Sequence, residues 1–298
     1  MKIGLTGGTG FIGQYVLKEN ANEYEFVVVT SRDTTDGLFV HSNVKYVTAA
    51  YNQNEFEKAF EGCDAVVHLG AKRSSKEGEE SVLNYTDNLR VSEDLFKACN
   101  NLNIKNIINI SSYAVYDTTL PLPFEESLAV APLSNYGVIK HTIEGLAHLY
   151  NRKYAMNIKS LRLAQVMGVG ERGGYMLSIF LERCLAGQVL NVYGKGIAGR
   201  EYVYVKDVSK AVMCALKSET KKEVFNIGNG YITTNLELAQ AFCKVFDNKE
   251  GCKCLEDKKE IVEHYLMSGE LAEKELGFKP DYTLEGALSD MKGILENR

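Results

Sequence analysis

The 298-residue chain has no tryptophan and only four prolines, and no apolar run approaches the length needed to span a membrane. No leader of basic, apolar and small residues precedes the first strand-like run, which starts directly after Met1, so the expected compartment is cytoplasmic. Basic excess is missing as well. Lys and Arg number 34 against 39 Asp and Glu, a formal net charge of −5, which argues against non-specific nucleic-acid binding. The seven cysteines (63, 99, 184, 214, 243, 252 and 254) fall mostly in apolar periodic segments and read as buried thiols rather than disulfides. Cys252 and Cys254 form the one close pair but lack a second pair at zinc-ligand spacing, so no metal site is expected. Linkers, repeats and low-complexity tracts are also missing. What is present, 45% hydrophobic and 24% charged, is a globular chain able to bury a large core and to build a second, smaller lobe.

The most informative stretch is MKIGLTGGTGFIG, Met1 to Gly13. The apolar run Ile3 to Leu5 leads through Thr6 into Gly7, Gly10 and Gly13, and a helix-compatible QYVLKEN follows. This reads as strand, tight turn and helix. Gly7 permits the sharp turn, Gly10 lets backbone approach a pyrophosphate, and Gly13 lets helix and strand pack closely. Free amides at the helix start, at Phe11, Ile12 and Gly13, would attract the phosphate charge.

Downstream, strand and helix patterns alternate, as expected of a parallel sheet with helical crossovers. Glu25 to Ser31 is a β-branched run of the kind that forms a buried parallel strand. At its end stand Ser31 and Arg32, then Asp33. A basic residue there suits the 2′-phosphate of NADP and an acidic one the ribose hydroxyls of NAD, so Ser31 and Arg32 favour NADP, with Asp33 as the NAD alternative. Val44 to Thr48 reads as a third strand, Asn54 to Phe60 as a short amphipathic helix and Ala65 to Leu69 as a fourth strand. Gly70 and Ala71 are small enough for backbone to lie against a cofactor, beside Leu69. Lys72 and Arg73 read as solvated loop charges, or as partners of a phosphate. A long helix is expected from about Glu79 to Asn101, with Asn84 on it.

Asn106 to Ile110 is the fifth strand, followed by Ser111, Ser112, Tyr113 and Tyr116. Ligands of open parallel sheets gather at the strands' carboxyl ends, which places these hydroxyls for chemistry. Tyr136 and Lys140, four apart, share one face of a helix, and a cation beside a phenol favours the phenolate. Such a shift is what a tyrosine needs to act as a base near neutral pH. Further on, Met176 to Leu185 has the apolar spacing of a core helix, and VLNVYGKGIAGREYVYV reads as strand, loop and strand. Arg200 carries the planar guanidinium suited to a diphosphate, with pairing to Glu201 as its plain alternative. Asp207 reads as the N-cap of the helix DVSKAVMCALK.

Together these segments resemble the extended short-chain dehydrogenase/reductases, and within them the NAD(P)-dependent sugar-nucleotide epimerase/dehydratase group. TGGTGFIG, DAVVHLGA, ISSYAVYD, YGVIK, LRLAQVMGVG, REYVYVKDVSKAV, VFNIGNG and LGFKPDYTLEGAL carry the resemblance along nearly the whole chain. It implies an α/β fold: a Rossmann-type doubly wound parallel sheet with a smaller mixed C-terminal substrate lobe. The implied division is residues 1–164 for the dinucleotide and 165–298 for the substrate, with 200–217 returning to the first lobe. It also implies Ser112, Tyr136 and Lys140 as the catalytic set, Asn84, Gln165, Arg200 and Tyr204 near the substrate, and a homodimer formed through the long helix and the Tyr136 helix, to which Leu95, Leu146 and Leu149 are suited.

The implied reaction is 4-epimerisation of a nucleotide sugar, with a UDP-sugar as the expected substrate and bound NAD as the cofactor usual for that reaction. Tyr113 and Ala114 stand where 4,6-dehydratases carry an Asp and a Glu, which sets that activity aside. Gln165 replaces a common Asn, Ile139 a common Ser, and the segment EIVEHYLMSGELAEKEL shows no phosphate-binding Arg. An NADP-dependent ketosugar reductase is therefore the alternative, and a non-catalytic dinucleotide sensor a third reading.

Overall fold

The computed structural model describes residues 1–73 and 81–297. Its centre is a parallel sheet built from β1 (Lys2–Thr6), β2 (Glu25–Thr30), β3 (Val44–Thr48), β4 (Ala65–His68), β5 (Asn106–Ser112), β6 (Asn157–Leu163) and β10 (Val224–Ile227), in the order β10-β6-β5-β4-β1-β2-β3. The inner strands are buried on both faces, where Ile3, Leu5, Val28, Val66, Val67, Ile107 and Ile108 are fully buried. The helices α1 (Phe11–Asn20), α2 (Gln53–Phe60), α3 (Thr86–Asn101), α4 (Asn135–Tyr154) and α6 (Val205–Lys217) supply that cover.

Local chemistry sets where these helices begin. Asn52 caps α2 by accepting from the Glu55 amide at 3.1 Å, and Ser134 caps α4 by accepting from the Gly137 amide at 3.0 Å. The first helix differs. Its N-cap is Gly10, with no side-chain cap and no acidic residue in the first turn. The expected start of the long helix at Glu79 lies outside the described residues. Val82–Tyr85 form a 3₁₀ turn, and α3 begins only at Thr86.

The remaining elements form a smaller layered lobe. β7 (Gln165–Met167), β9 (Gly199–Tyr204), β11 (Ile232–Thr234) and β13 (His264–Tyr265) make one mixed sheet, while β8 (Leu190–Tyr193) and β12 (Cys252–Leu255) pair in parallel. The helices α5 (Met176–Leu185), α7 (Asn235–Val245) and α9 (Leu284–Glu296) complete this lobe, whereas α8 (Glu270–Leu276) buries Ala272 and Leu276 in the core of the first sheet. The core around Phe180, Leu190, Tyr202, Leu238 and Phe242 holds this lobe together. Residues after 164 also build the first sheet, since β10 pairs with β6 from Ser160–Val224 to Leu163–Ile227.

Asp207 does not cap α6. The strand β9 runs directly into that helix, whose N-cap is Tyr204, and Asp207 lies in the first turn. Its carboxylate accepts from the backbone amides of Asp281 at 2.8 Å and Tyr282 at 3.3 Å, fastening the segment that leads to α9. Leu95 is fully buried in the chain's own core, whereas Leu149 is half exposed on α4. No helix among the described residues is long and apolar enough to cross a membrane.

Candidate active site

The glycine-rich turn lies where β1 meets α1, at the carboxyl edge of the sheet. Gly7 has φ +71°, and a Cβ there would stand 2.6 Å from the Gly70 amide nitrogen. A Cβ on Gly13 would stand 2.3 Å from the Gly7 carbonyl oxygen. These contacts bring turn, helix and the end of β4 together in a cradle that side chains would fill. With no side chain capping α1, its first amides, from Phe11 to Gly13, remain able to receive a pyrophosphate. A dinucleotide therefore fits the residues present. Leu69 and Gly70 are partly buried against this turn, and Ala71 is exposed. Ser31 and Arg32 follow β2 and are exposed, with the Arg32 carbonyl accepting from Thr48 Oγ1 at 2.9 Å.

A buried chain of hydrogen bonds fixes the backbone opposite the turn. Ser92 Oγ donates to the Asn88 carbonyl at 2.7 Å, so His68 Nε2 donates to Ser92 Oγ at 3.0 Å. His68 Nδ1 then accepts from Thr6 Oγ1 at 2.7 Å, and the Thr6 oxygen accepts from the Gly70 amide at 3.2 Å. Asn88 completes the frame, its amide side chain bonding Lys72 N at 2.7 Å and Lys72 O at 2.9 Å.

Burial pushes the His68 pKa down to about 3, with Lys140 adding to the shift. An unfolded chain protonates this histidine near 6.5. Unfolding therefore takes up a proton between those values, and stability falls as the pH drops through them. Denaturant midpoints measured from pH 7 to pH 4 should decline, and a His68→Gln variant should decline less steeply.

Ser112 ends β5, its Oγ accepting from the Ala114 amide at 3.2 Å. Tyr136 and Lys140 lie on one face of α4, with the Lys140 ammonium 5.8 Å from the Tyr136 ring centre. That ammonium is buried and donates to the Ile110 carbonyl at 2.6 Å. Burial pulls its pKa down to about 8, against the opposing charge of Glu144. Burial raises the Tyr136 phenol to about 12, and the cation that offsets part of this rise is Arg73. Lys140, the residue expected to favour the phenolate, keeps its ammonium 5.8 Å from that ring centre while bonding it to the end of β5.

Beneath these groups, Arg162 grips Glu144 with two bonds of 2.9 and 2.7 Å. The same carboxylate accepts from Ser111 at 2.6 Å, and Arg162 also donates to the Tyr116 hydroxyl at 2.7 Å.

A narrow cavity between the two lobes is lined by Tyr113, Ala164, Gln165, Arg200, Glu201, Tyr265 and Met267. Parallel pairing of β7 with β9 brings Gln165 and Arg200 to it, although they are far apart in sequence. Arg200 does not pair with Glu201. That carboxylate, raised to about 7 by burial, accepts from the Gly230 amide at 2.7 Å and the Met267 amide at 3.0 Å. Among the described residues, Arg200 Nε is buried without a hydrogen-bond partner.

Two expected substrate residues are placed elsewhere. The Tyr204 hydroxyl is buried on α9, donating to Asp290 at 2.5 Å. Asn84 sits exposed on the 3₁₀ turn, and the buried asparagine of this region is Asn88, one turn further on. The signal for it was present, since residues 88, 92, 95, 96 and 99 form one buried stripe along α3.

A doubly wound sheet, a glycine cradle at its first turn, and a Ser, Tyr and Lys gathered at the end of β5 define an extended short-chain dehydrogenase/reductase. The chain belongs to the NAD-dependent epimerase/dehydratase family, whose model matches residues 3–228. The UDP-N-acetylglucosamine 4-epimerase of Bacillus cereus is 31% identical and superposes with a TM-score of 0.89, covering 100% of this chain and 97% of that one. The UDP-glucose 4-epimerase of Thermotoga maritima, solved with UDP-glucose, is 26% identical with a TM-score of 0.89, covering 100% and 99%. Among curated proteins, the UDP-glucose 4-epimerase of Lacticaseibacillus casei is 27% identical over 95% of this chain and 92% of its own.

Proposed function

We propose that this enzyme is a nucleotide-sugar 4-epimerase acting on a UDP-hexose or UDP-N-acetylhexosamine. The observation that carries the reading is the placement of Tyr136 and Lys140 on one face of α4, against the carboxyl end of β5 where Ser112 stands. The full-length similarity to two UDP-sugar 4-epimerases supports the substrate class.

The cradle of Gly7, Gly10 and Gly13 and the start of α1 would hold the pyrophosphate of NAD, with Leu69, Gly70 and Ala71 lying along it. When bound, the nicotinamide supplies reversible two-electron chemistry at the sugar carbon. Tyr136 Oη takes the proton of the sugar's 4-hydroxyl and later returns it. Ser112 Oγ donates to the reacting oxygen as it gains carbonyl character. Lys140 holds a cation next to this proton exchange and orients the cofactor ribose. Arg200 and Gln165 meet the diphosphate across the cavity. An exposed guanidinium at Arg32 suits the 2′-phosphate of NADP, so comparing NAD and NADP binding measures which dinucleotide the chain prefers.

The test is incubation of the protein with UDP-glucose and UDP-N-acetylglucosamine, followed by separation of products. Interconversion with no net change in nicotinamide absorbance is expected. A stoichiometric absorbance change would instead identify the ketosugar reductase, and absence of any turnover would remove both. Arg200→Ala should raise KM for the nucleotide sugar about 10- to 100-fold, the worth of a charge-assisted hydrogen bond. Its kcat should change far less, because the diphosphate does not react.

A further inference from the structure

Arg200 borders the cavity with no ion-pair partner among the described residues, and its Nε is buried without a hydrogen bond. The neighbouring carboxylate, Glu201, spends both oxygens on the backbone amides of Gly230 and Met267. The guanidinium is therefore placed by the backbone of β9 rather than by a side chain that grips it.

The chain enters β9 through the turn that leaves β8. In that turn Gly194, Gly196 and Ala198 are buried and alternate with exposed Tyr193, Lys195 and Ile197. Gly194 and Gly196 take φ values of +64° and +71°, which glycine adopts without strain. Two carbonyls of the turn are taken by the start of α7: Gly196 accepts from the Leu236 amide at 3.0 Å and Ala198 from the Asn235 amide at 2.8 Å. Three of its amides converge instead on one carboxylate. Glu260 Oε2 accepts from the Lys195 and Gly196 amides, each at 3.0 Å, and Oε1 accepts from the Ala198 amide at 2.8 Å.

Converging amides of this kind make a concavity for an anion. Here the anion comes from the segment between β12 and β13, more than 60 residues further along the chain. The fit is close, since a Cβ at Gly194 would stand 2.5 Å from the Glu260 Cβ. Among the described residues these amides have no other acceptor, so loss of the carboxylate would strand donors in buried Gly196 and Ala198.

Two residues past Ala198, the anchored chain reaches Arg200. Gly199 donates its amide to the Glu263 carbonyl at 3.1 Å, and β13 then runs beside β9, pairing His264 with Gly199 and Tyr265 with Arg200. Tyr265 lines the same cavity and packs on Tyr113, with ring centres 5.3 Å apart. The anchor therefore stands at the head of the paired strands that form this wall.

We propose that Glu260 is a positioning residue for nucleotide-sugar binding: its carboxylate, seated in the turn between β8 and β9, fixes the start of β9 and through it the placement of Arg200. The proposal rests on the reading of Arg200 as the contact to the diphosphate.

The test uses the NAD-loaded protein, with UDP as the probe in calorimetric titration and UDP-sugar kinetics beside it. Glu260→Ala should weaken UDP binding about tenfold and raise KM by a similar factor, with kcat changed less than about twofold. Glu260→Gln keeps one acceptor oxygen and should recover part of that loss; where Glu260→Ala does not fold, it carries the same comparisons. In an Arg200→Ala background, Glu260→Ala should cost less than about a further twofold, because the two residues act as one unit. Hydrogen exchange over residues 194–200, read without any substrate, should be about tenfold faster in Glu260→Ala. Unchanged UDP affinity in Glu260→Ala beside a weakened Arg200→Ala would overturn the proposal. So would the full tenfold loss in the Arg200→Ala background, or unchanged exchange. Should Arg200→Ala alone leave UDP affinity intact, the diphosphate assignment fails by itself, and the exchange measurement still decides whether Glu260 holds the strand that carries Arg200.

Discussion

Tyr136→Phe should reduce interconversion of the nucleotide sugar by about 10³-fold, within the range that a positioned acid–base group contributes. The substitution removes one oxygen and keeps the ring, so the edge-on contact with Tyr85 and the packing of α4 persist. KM for the nucleotide sugar and affinity for the dinucleotide should therefore stay near their original values, and only kcat should fall. Steady-state kinetics beside a dinucleotide-binding measurement separates these quantities. A variant that keeps its kcat would show that the proton leaves by another group. A variant that keeps the protein's cellular role without turnover would favour the sensor reading. Ser112→Ala should have a smaller effect of the same kind, since its hydroxyl donates to the reacting oxygen but does not carry the proton away.

The second large effect is on stability. Glu144→Ala should cost about 3–5 kcal/mol, because it leaves the Arg162 guanidinium buried with no anion. Both side chains are nearly inaccessible, at 5% and 4%, and they meet through two short bonds. A loss of that size is a large part of the ~5–15 kcal/mol that holds a typical domain folded. Replacing both partners, as Glu144→Met with Arg162→Met, should cost less than either truncation alone, because no charge is then stranded. Denaturant unfolding of Glu144→Ala, Arg162→Ala and the double variant measures the difference. If the double variant is no better than the singles, the pair is not the source of the loss. The same carboxylate opposes the burial-driven fall of the Lys140 pKa, so Glu144→Ala should also lower that pKa and bring the loss of Lys140 charge to a lower pH.

The first half of the parallel sheet was legible because β2 and β4 are written as β-branched runs and the first turn as spaced glycines, whereas β6 and β10, interrupted by polar residues, were not read as strands. β3 was read with its observed bounds, and β1, β2 and β4 within a residue at each end. Tyr136 and Lys140 were legible for a related reason: their relation is a helical turn, which spacing alone encodes. Other features depend on contacts that spacing does not encode. Asn84 was read as the site asparagine, with Asn88 not considered, because a 3₁₀ turn interrupts what reads as one continuous helix and shifts the buried face by a turn. Asp207 was read as a cap because nothing local reveals that β9 enters α6 without a connecting loop. Tyr204 carries no mark of its bond to Asp290, which lies 86 residues away. Glu171 is the clearest case. Nothing in GVGERGG distinguishes it from a loop acid, yet its side chain is only 4% exposed.

The pairing of β6 with β10 governs how this protein can be cut or fused. A fragment ending at Ala164 would retain the dinucleotide cradle but lose the strand that covers β6. The edge so uncovered carries Ile158, Leu161 and Leu163, all 5% exposed or less in the intact chain. Open backbone along an apolar strand is a template for intermolecular pairing, so such a fragment would precipitate or pair with its own copies rather than bind cofactor in isolation. Nucleotide handling and sugar handling are thus inherited together, and tags or inserted domains belong in exposed loops rather than at the apparent midpoint of the gene.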